Sequence, residues 1–146
     1  MRLWRISEFP ALDGRGGLIA GGRWHSRGRP VVYLAEHSAL AMLEVRVHLE
    51  VATVPPSFRL IEVDAPDDLA VTEHGWPAPD EAECRAWGDA WLAAGETPLA
   101  RVPSVVAPRG WNMLLNPLHG EAGRCAIVRD ERWPWDGRLW PSAASA

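Results

Sequence analysis

The sequence predicts an α+β fold, a single compact domain with a mixed, mostly antiparallel sheet and a few helices. Short apolar runs typical of strands outnumber the helical patterns, and the two do not alternate as in a parallel α/β fold. The 146 residues suffice for one domain with a core. Apolar residues make up 47% and charged residues 23%, which is typical of globular domains and argues against disorder.

The first half of the chain predicts two strands around a loop, and then a helix and a third strand. Residues 13–30 hold six glycines and one proline, which indicates a loop. Ser38 is a suitable N-cap for a helix over residues 39–51. Leu40, Leu43, Val47 and Val51 share one face of that helix, so we expect this face to be buried. The strands of this half are expected at residues 2–6, 31–35 and 59–64.

The second half predicts a longer helix over residues 80–94, capped near Asp80 and ended by Gly95. Prolines bound a strand at 103–107, a helical turn is expected at 111–115, and a late strand at 125–128. We place the domain at residues 1–140 and expect the tail 141–146 to be frayed.

Composition excludes several classes of protein. The net charge of −4 argues against a broad nucleic-acid surface. No segment approaches the roughly 20 apolar residues of a membrane span, and the first residues lack a signal-peptide core, so a cytoplasmic protein is expected. Cys84 and Cys125 form no C-x-x-C pair, and no H-E-x-x-H motif occurs, so no metal site is predicted. All 15 basic residues other than histidine are arginine, a side chain suited to binding phosphate through two donors.

The most informative stretch runs from Gly14 to His48. Its glycines fit neither the dinucleotide fingerprint nor a Walker A loop, and alone they indicate a surface loop. Arg23 ends this loop, Tyr33 lies in the next strand and Glu44 in the following helix. Glu44 or Tyr33 alone would more often be structural. Together, a fixed cation, the only tyrosine and a carboxylate suit a phosphate-bearing ligand whose reaction builds positive charge.

A second cluster of polar side chains lies at residues 103–119. Ser104 lacks a G-x-S-x-G context, so a serine hydrolase is disfavoured. Asn112, Asn116 and His119 are short polar groups among apolar residues, and turn or cap chemistry explains them equally well.

These motifs, taken in order, resemble the RES domain, a family named for its Arg, Glu and Ser positions and common among toxins of bacterial toxin–antitoxin pairs. The match spans nearly the whole chain and consists of R-W at 23–24, V-Y-L-A at 32–35, a loose S…A…E pattern at 38–44, P-S at 103–104 and N-x-L-L-N-P-x-H at 112–119. The resemblance implies a fold similar to ADP-ribosyltransferase toxins. It also implies cleavage of the nicotinamide–ribose bond of NAD⁺, with ADP-ribose passed to water, phosphate or a protein side chain.

Roles for individual residues follow from the same resemblance. Glu44 would stabilise the ribose cation, Arg23 and Arg5 would hold the diphosphate, and Tyr33 would lie against the nicotinamide ring. Ser104 would hydrogen-bond the nicotinamide or its ribose, and Asn112 is a further candidate for ligand binding. The expected partners are NAD⁺, a cognate antitoxin with an Xre-type helix-turn-helix region, and an acceptor that is in some cases a protein. A homodimer within the toxin–antitoxin complex is also expected, with no direct contact to nucleic acid or membrane.

Two other functions remain open at this point. The nine tryptophans are compatible with a non-catalytic interaction domain, because aromatic residues are enriched at protein interfaces. An RNA-cleaving toxin is the other alternative, and the acidic charge and the lack of lysine weigh against it.

Overall fold

The computed structural model describes residues 1–50 and 52–141. Within them, seven strands form one sheet: β1 (Arg2–Ile6), β2 (Val32–Ala35), β3 (Ser57–Asp64), β4 (Val71–Glu73), β5 (Leu99–Pro103), β6 (Trp111–Leu115) and β7 (Ala126–Pro134). Their order across the sheet is β4-β5-β6-β2-β1-β3-β7. Only the pairing of β4 with β5 is parallel. The predicted α+β class with a mixed, mostly antiparallel sheet is therefore confirmed.

In the described part of the chain, three α-helices accompany the sheet: α1 (Arg15–Ile19), α2 (Ser38–Arg46) and α3 (Glu81–Ala94). Helix α3 follows its prediction closely. The Asp80 side chain accepts a hydrogen bond from the Glu83 amide at the N-terminus, and Gly95 ends the helix in the left-handed conformation with φ of 61°. None of the helices in the described residues is both long and apolar enough to span a bilayer.

Both longer helices cover the same face of the sheet, which we call the helical face. It carries Tyr33 and Ala35 of β2 together with their cross-strand partners Leu114 and Asn112 of β6. Cys84 and Trp91 of α3 pack on it near Leu114, whereas Leu40 and Ala41 of α2 pack near Ala35. The opposite face carries the larger aliphatic core, formed by Leu3, Val32, Leu34, Ile61, Val63, Leu99, Met113 and Leu115.

Two predictions in the second half of the chain were wrong. Residues 111–115 form the central strand β6 rather than a helical turn, because they pair with β5 on one side and β2 on the other. A strand was expected at 103–107, but strand β5 precedes this range and ends at Pro103. The Ser104 hydroxyl accepts hydrogen bonds from the amides of Val106 and Ala107, and these bonds turn the chain into a loop.

Helix α2 also departs from its prediction. His37 rather than Ser38 caps it, since the His37 ring accepts the Ala39 amide at 3.0 Å. The helix ends at Arg46, short of the expected residue 51, which lies outside the described residues. Of the predicted buried face, Leu40 is buried, but Leu43 is 44% and Val47 54% exposed. The helix therefore packs on the sheet through Leu40 and Ala41, rather than through Leu40 and Leu43.

Further differences concern element boundaries. The glycine-rich segment contains the short helix α1, strand β4 was not predicted, and β7 runs six residues past its expected end, to Pro134. Most of the tail expected to be frayed, residues 142–146, lies outside the described residues.

Candidate active site

Helix α2 directs Glu44 towards the sheet. Glu44 follows Leu40 by four residues and Ala41 by three, and both of these are buried against the helical face. Residues at these spacings share one side of a helix, so the carboxylate of Glu44 lies over the end of β6. The Glu44 side chain is partly buried there.

The two carboxylate oxygens of Glu44 have different surroundings. Oε1 accepts a hydrogen bond from the Ser104 hydroxyl and another from the Asn112 side-chain amide, each at 2.8 Å. No described residue donates a hydrogen bond to Oε2, and no described arginine forms an ion pair with Glu44. One oxygen is therefore fixed by two neutral donors, while the other is left to accept hydrogen bonds from a ligand.

The hydroxyl of Ser104 is fully used within the protein. It donates to Glu44 and accepts from the amides of Val106 and Ala107 at 3.2 and 3.1 Å. A serine hydroxyl has one hydrogen and two lone pairs, so no capacity remains for a ligand. The residue is also only 1% exposed. Its position points to holding the carboxylate rather than touching nicotinamide, the role implied by the resemblance.

Asn112 retains hydrogen-bonding capacity beyond its contact with Glu44. One N–H of its side-chain amide is used by Glu44, which leaves the second N–H and the carbonyl oxygen without a partner among the described residues. The side chain is only partly buried. Asn112 can therefore hold Glu44 and bind a ligand at the same time.

Arg23 lies in a tight turn between Gly22 and His25. These two residues form an isolated β-bridge, with Arg23 and Trp24 at the tip. The guanidinium is close enough to the Cys84 thiol to lower its pKa, although burial has the larger, opposite effect and raises it. Within the described chain Arg23 forms no ion pair with a carboxylate, so a partly buried cation stays available for an anion.

The hydroxyl of Tyr33 lies inside this turn. Its oxygen accepts the Trp24 amide at 3.1 Å and lies 2.8 Å from His25 Nδ1. Burial, the largest influence, raises the pKa of the Tyr33 phenol, so the residue is neutral at physiological pH. The ring packs beside the apolar cluster around Trp24 and Leu114. This hydroxyl is thus engaged within the protein.

The Glu44 group and the Arg23 turn lie on the same face of the sheet. Asn112 pairs with Ala35, two residues beyond Tyr33 on the same side of β2. Two residues along a strand correspond to about 7 Å. The residues that hold the carboxylate and the turn are thereby offset by two positions along β2.

Arg5 is not brought to this group. Arg5 pairs with Ile61 and so lies on the opposite face, beside the core that contains Leu3. Its guanidinium donates to the Ala11 carbonyl oxygen at 3.4 Å, and burial lowers its pKa. The alternation of side chains along β1 separates it from Arg23, so the two arginines do not meet at one site.

The remaining polar residues of the second cluster serve turns. Asn116 is 3% exposed and accepts the Leu118 amide through its side chain, and the His119 ring accepts the Glu121 amide. By contrast, sequence reasoning missed His25 and Asp89, which support the Arg23 turn. Their positions in a glycine-rich loop and in a helix gave no signal, because the contacts of His25 with Tyr33 and of Asp89 with Ser26 arise only in the folded chain.

A separate cavity of about 270 Å³ lies at the opposite face, where Glu36, Arg101 and Trp111 line it. Arg101 stacks over Trp111 at 4.5 Å and lies 3.7 Å from Glu73, so its cation already has a carboxylate nearby. No cluster of potential metal ligands occurs in the described residues.

Comparison with known proteins matches the RES domain family model over residues 2–136. A protein of Pseudomonas putida named Toxin Res is 41% identical, and the alignment covers 96% of this chain and all of that one. A Sphingobium protein named Prs ADP-ribosylating toxin is 34% identical over 93% of this chain and 94% of its own. The crystal structure of the M. tuberculosis MbcT–MbcA toxin–antitoxin complex contains a chain of similar fold. That chain has a TM-score of 0.75 and 22% identity, with 91% of this chain and 84% of that chain covered.

Proposed function

The chain belongs to the RES domain family, and we propose that it is the toxin of a bacterial toxin–antitoxin system that cleaves the nicotinamide–ribose bond of NAD⁺. One observation carries this proposal. Glu44 presents a carboxylate with one oxygen fixed by Ser104 and Asn112 and the other open to a ligand. The names of relatives that are toxins, one of them ADP-ribosylating, support the same function.

The reaction requires a negative group beside the ribose. When the bond between C1′ and the nicotinamide nitrogen breaks, its electron pair leaves with nicotinamide and the ribose becomes oxocarbenium-like. A fixed carboxylate stabilises this cation more than it stabilises the ground state, and that difference lowers the barrier. Hydrogen bonds from the ribose hydroxyls to Oε2 of Glu44 would strengthen in the same step, as comparable 2-OH contacts do in glycosidases.

Arg23 supplies the binding half of the site. Its guanidinium is not neutralised by any described carboxylate, and it lies next to the neutral side chains of Tyr33 and Cys84. A planar guanidinium binds phosphate oxygens through two donors. We assign it to the diphosphate of NAD⁺, which places the nicotinamide ribose towards Glu44.

The acceptor closes the reaction. Its nucleophilic atom forms the new bond to C1′ and releases a proton if it carries one. The Sphingobium relative is named for ADP-ribosylation, which favours transfer to a protein side chain here. Water and inorganic phosphate are the other acceptors that the same cleavage step would serve.

The test is release of nicotinamide. Purified protein is incubated with NAD⁺ that carries a label in its ADP-ribose part. The three incubations contain NAD⁺ alone, NAD⁺ with phosphate, and NAD⁺ with a cell extract as a source of acceptor, and the products are separated by chromatography. Free ADP-ribose identifies hydrolysis, ADP-ribose 1″-phosphate identifies phosphorolysis, and label retained on a protein identifies transfer. Intact NAD⁺ in all three incubations with folded protein would overturn the proposal.

A cognate antitoxin follows from the proposed toxin role. The toxin–antitoxin complex that contains a chain of the same fold supports such a partner. We assign to this antitoxin an Xre-type helix-turn-helix region and a segment that covers the Glu44 site, with two toxin copies in the complex. Co-expression with the product of the adjacent reading frame should abolish nicotinamide release and yield one complex, whereas unaltered activity would contradict this assignment.

A further inference from the structure

We propose that Tyr33, His25 and Asp89 are positioning residues that hold the turn at Arg23 in its ligand-binding position. The assignment of the ligand as a diphosphate rests on the proposed function. The roles of the three residues follow from their contacts alone. They explain why the only tyrosine of the chain lies beside Arg23 without leaving its hydroxyl free.

The hydrogen bonds around Tyr33 link the His25 ring to the backbone of the turn. His25 Nε2 lies 2.9 Å from the Ala20 carbonyl oxygen, which only accepts, so Nε2 is the donor in this contact. In the tautomer with its single hydrogen on Nε2, His25 Nδ1 accepts the hydroxyl hydrogen of Tyr33 at 2.8 Å. The Tyr33 oxygen in turn accepts the Trp24 amide at 3.1 Å. His25 is only 3% exposed, so this chain of bonds is shielded from water.

The backbone of the turn is packed directly on the phenol. A Cβ added at Gly22 would lie 2.6 Å from the Tyr33 hydroxyl oxygen, so only glycine allows this approach. The amide of Gly22 donates to the His25 carbonyl oxygen at 3.1 Å and closes the turn. Arg23 is thereby held between two residues that both contact Tyr33.

Helix α3 clamps the turn from the other side. A Cβ at Gly88 would overlap the Trp24 carbonyl oxygen, so the turn rests directly on the helix backbone. The Asp89 carboxylate accepts the Ser26 amide at 2.8 Å, one residue beyond the turn, and lies 3.4 Å from Arg29. These contacts orient the backbone at Arg23 while its guanidinium makes no ion pair with the described chain.

A double-mutant cycle separates positioning from direct ligand contact. Binding of ADP-ribose is measured by calorimetry for wild type, Tyr33→Phe, Arg23→Gln and the double variant. If Tyr33 acts through Arg23, Tyr33→Phe weakens binding about tenfold, the loss expected for one hydrogen bond to a buried donor. In the Arg23→Gln background the same change should then have no further effect. Effects that add in the double variant would overturn the proposal.

Kinetics and a matched control complete the cycle. Tyr33→Phe should raise KM for NAD⁺ and leave kcat nearly unchanged, because Arg23 binds the ground state and the transition state alike. Arg27→Gln removes an exposed arginine of the same loop and should leave both parameters at their wild-type values. A large fall in kcat in Tyr33→Phe would instead identify direct contact with the reacting ribose and contradict a positioning role.

Two NMR measurements on the protein without substrate distinguish a failure of the positioning role from a failure of the proposed function. Nitrogen NMR should show His25 with its hydrogen on Nε2, and amide exchange at Trp24 should quicken in Tyr33→Phe while exchange within α3 stays slow. Unchanged amide exchange at Trp24 would overturn the role of Tyr33 in holding the turn at Arg23, whatever the ligand. If these signals change as expected but wild type neither binds ADP-ribose nor consumes NAD⁺, the clamp is supported and the proposed function falls.

Discussion

The carboxylate of Glu44 and the guanidinium of Arg23 are held in place in opposite ways. Ser104 and Asn112 bond the charged group of Glu44 directly, at one oxygen. Around Arg23, Tyr33 and helix α3 instead bind the neighbouring backbone, and the cation itself forms no ion pair with the described residues.

This difference separates a group suited to catalysis from a group suited to binding. A charge that must stabilise a cation in the transition state gains from being fixed before the reaction, because no reorganisation is then needed. A charge that binds a flexible diphosphate gains from a free end on a fixed backbone, because the side chain can follow the ligand. We therefore expect changes near Glu44 to lower kcat, and changes near Arg23 to raise KM.

The largest expected effect comes from removing the charge of Glu44. Glu44→Gln keeps the shape and the bond from Ser104 but loses the field at the ribose. We expect kcat for nicotinamide release to fall about 10²–10³-fold, the scale for one preorganised electrostatic group, with little change in KM.

Glu50→Gln is the matched control for this variant, since it removes an exposed carboxylate shortly after the same helix. It should retain wild-type kcat. Full activity in Glu44→Gln, measured by chromatography of nicotinamide, would show that Glu44 is not the catalytic group and so contradict the contrast with Arg23.

The anchors of the carboxylate should have the next largest effect. Asn112→Ala removes one hydrogen bond to a charged group, worth about 1.5–3 kcal/mol, so kcat should fall roughly 10- to 100-fold. Ser104→Ala should lower kcat similarly and also destabilise the fold, because the amides of Val106 and Ala107 lose their acceptor. Thermal unfolding should distinguish the two, and equal stability of both variants would show that Ser104 does not hold the loop.

A smaller effect is expected at Arg23 itself. Arg23→Gln should raise KM about tenfold at physiological salt, because the guanidinium is partly exposed and its contacts with a diphosphate are screened. Wild-type KM should rise with added salt more steeply than that of the variant. Steady-state kinetics over a range of salt concentrations measure KM for wild type and variant. A fall in kcat at constant KM in Arg23→Gln would show that Arg23 acts in catalysis rather than in binding.

The smallest effect concerns an ion pair remote from both groups. The Arg138 side chain hydrogen-bonds Asp136 and lowers the pKa of that carboxyl from 3.8 to about 2. A lowered folded-state pKa stabilises the protein above pH 4, and this stabilisation is lost as the pH falls towards 2. Arg138→Gln should therefore slightly reduce thermal stability at neutral pH, narrow the stability difference from wild type at pH 2, and leave kcat unchanged. A loss of activity in this variant at pH 7 would show that the C-terminal segment takes part in the site.

Sequence patterns predicted the parts of the fold that local chemistry determines. Helix α3 has its Asp80 cap and its Gly95 end in the sequence itself. Strand β6 was missed because its conformation is imposed by pairing with two neighbouring strands rather than by its own residues. The buried face of α2 was misplaced for a related reason: the position of the sheet, not hydrophobic periodicity alone, decides which side chains are covered.

In the candidate site, too, the sequence predicts what local motifs determine and misses what long-range contacts determine. Motif order indicated Arg23, Tyr33, Glu44 and Ser104. Register places Tyr33 on the face that carries Asn112, and hydrogen bonds bring Glu44 and Ser104 to that face. The sequence could not show that Ser104 and Tyr33 use their hydroxyls within the protein, because their partners lie far along the chain or across a turn. Nor could it place Arg5, whose side of the sheet depends on its pairing with Ile61.

A crystal structure of the Glu44→Gln variant with NAD⁺ would test the central claim most directly. We predict the nicotinamide ribose with its hydroxyls within hydrogen-bonding distance of the residue 44 side chain, and the diphosphate on the Arg23 guanidinium. NAD⁺ bound instead in the cavity beside Arg101 and Trp111, on the opposite face of the sheet, would contradict the account.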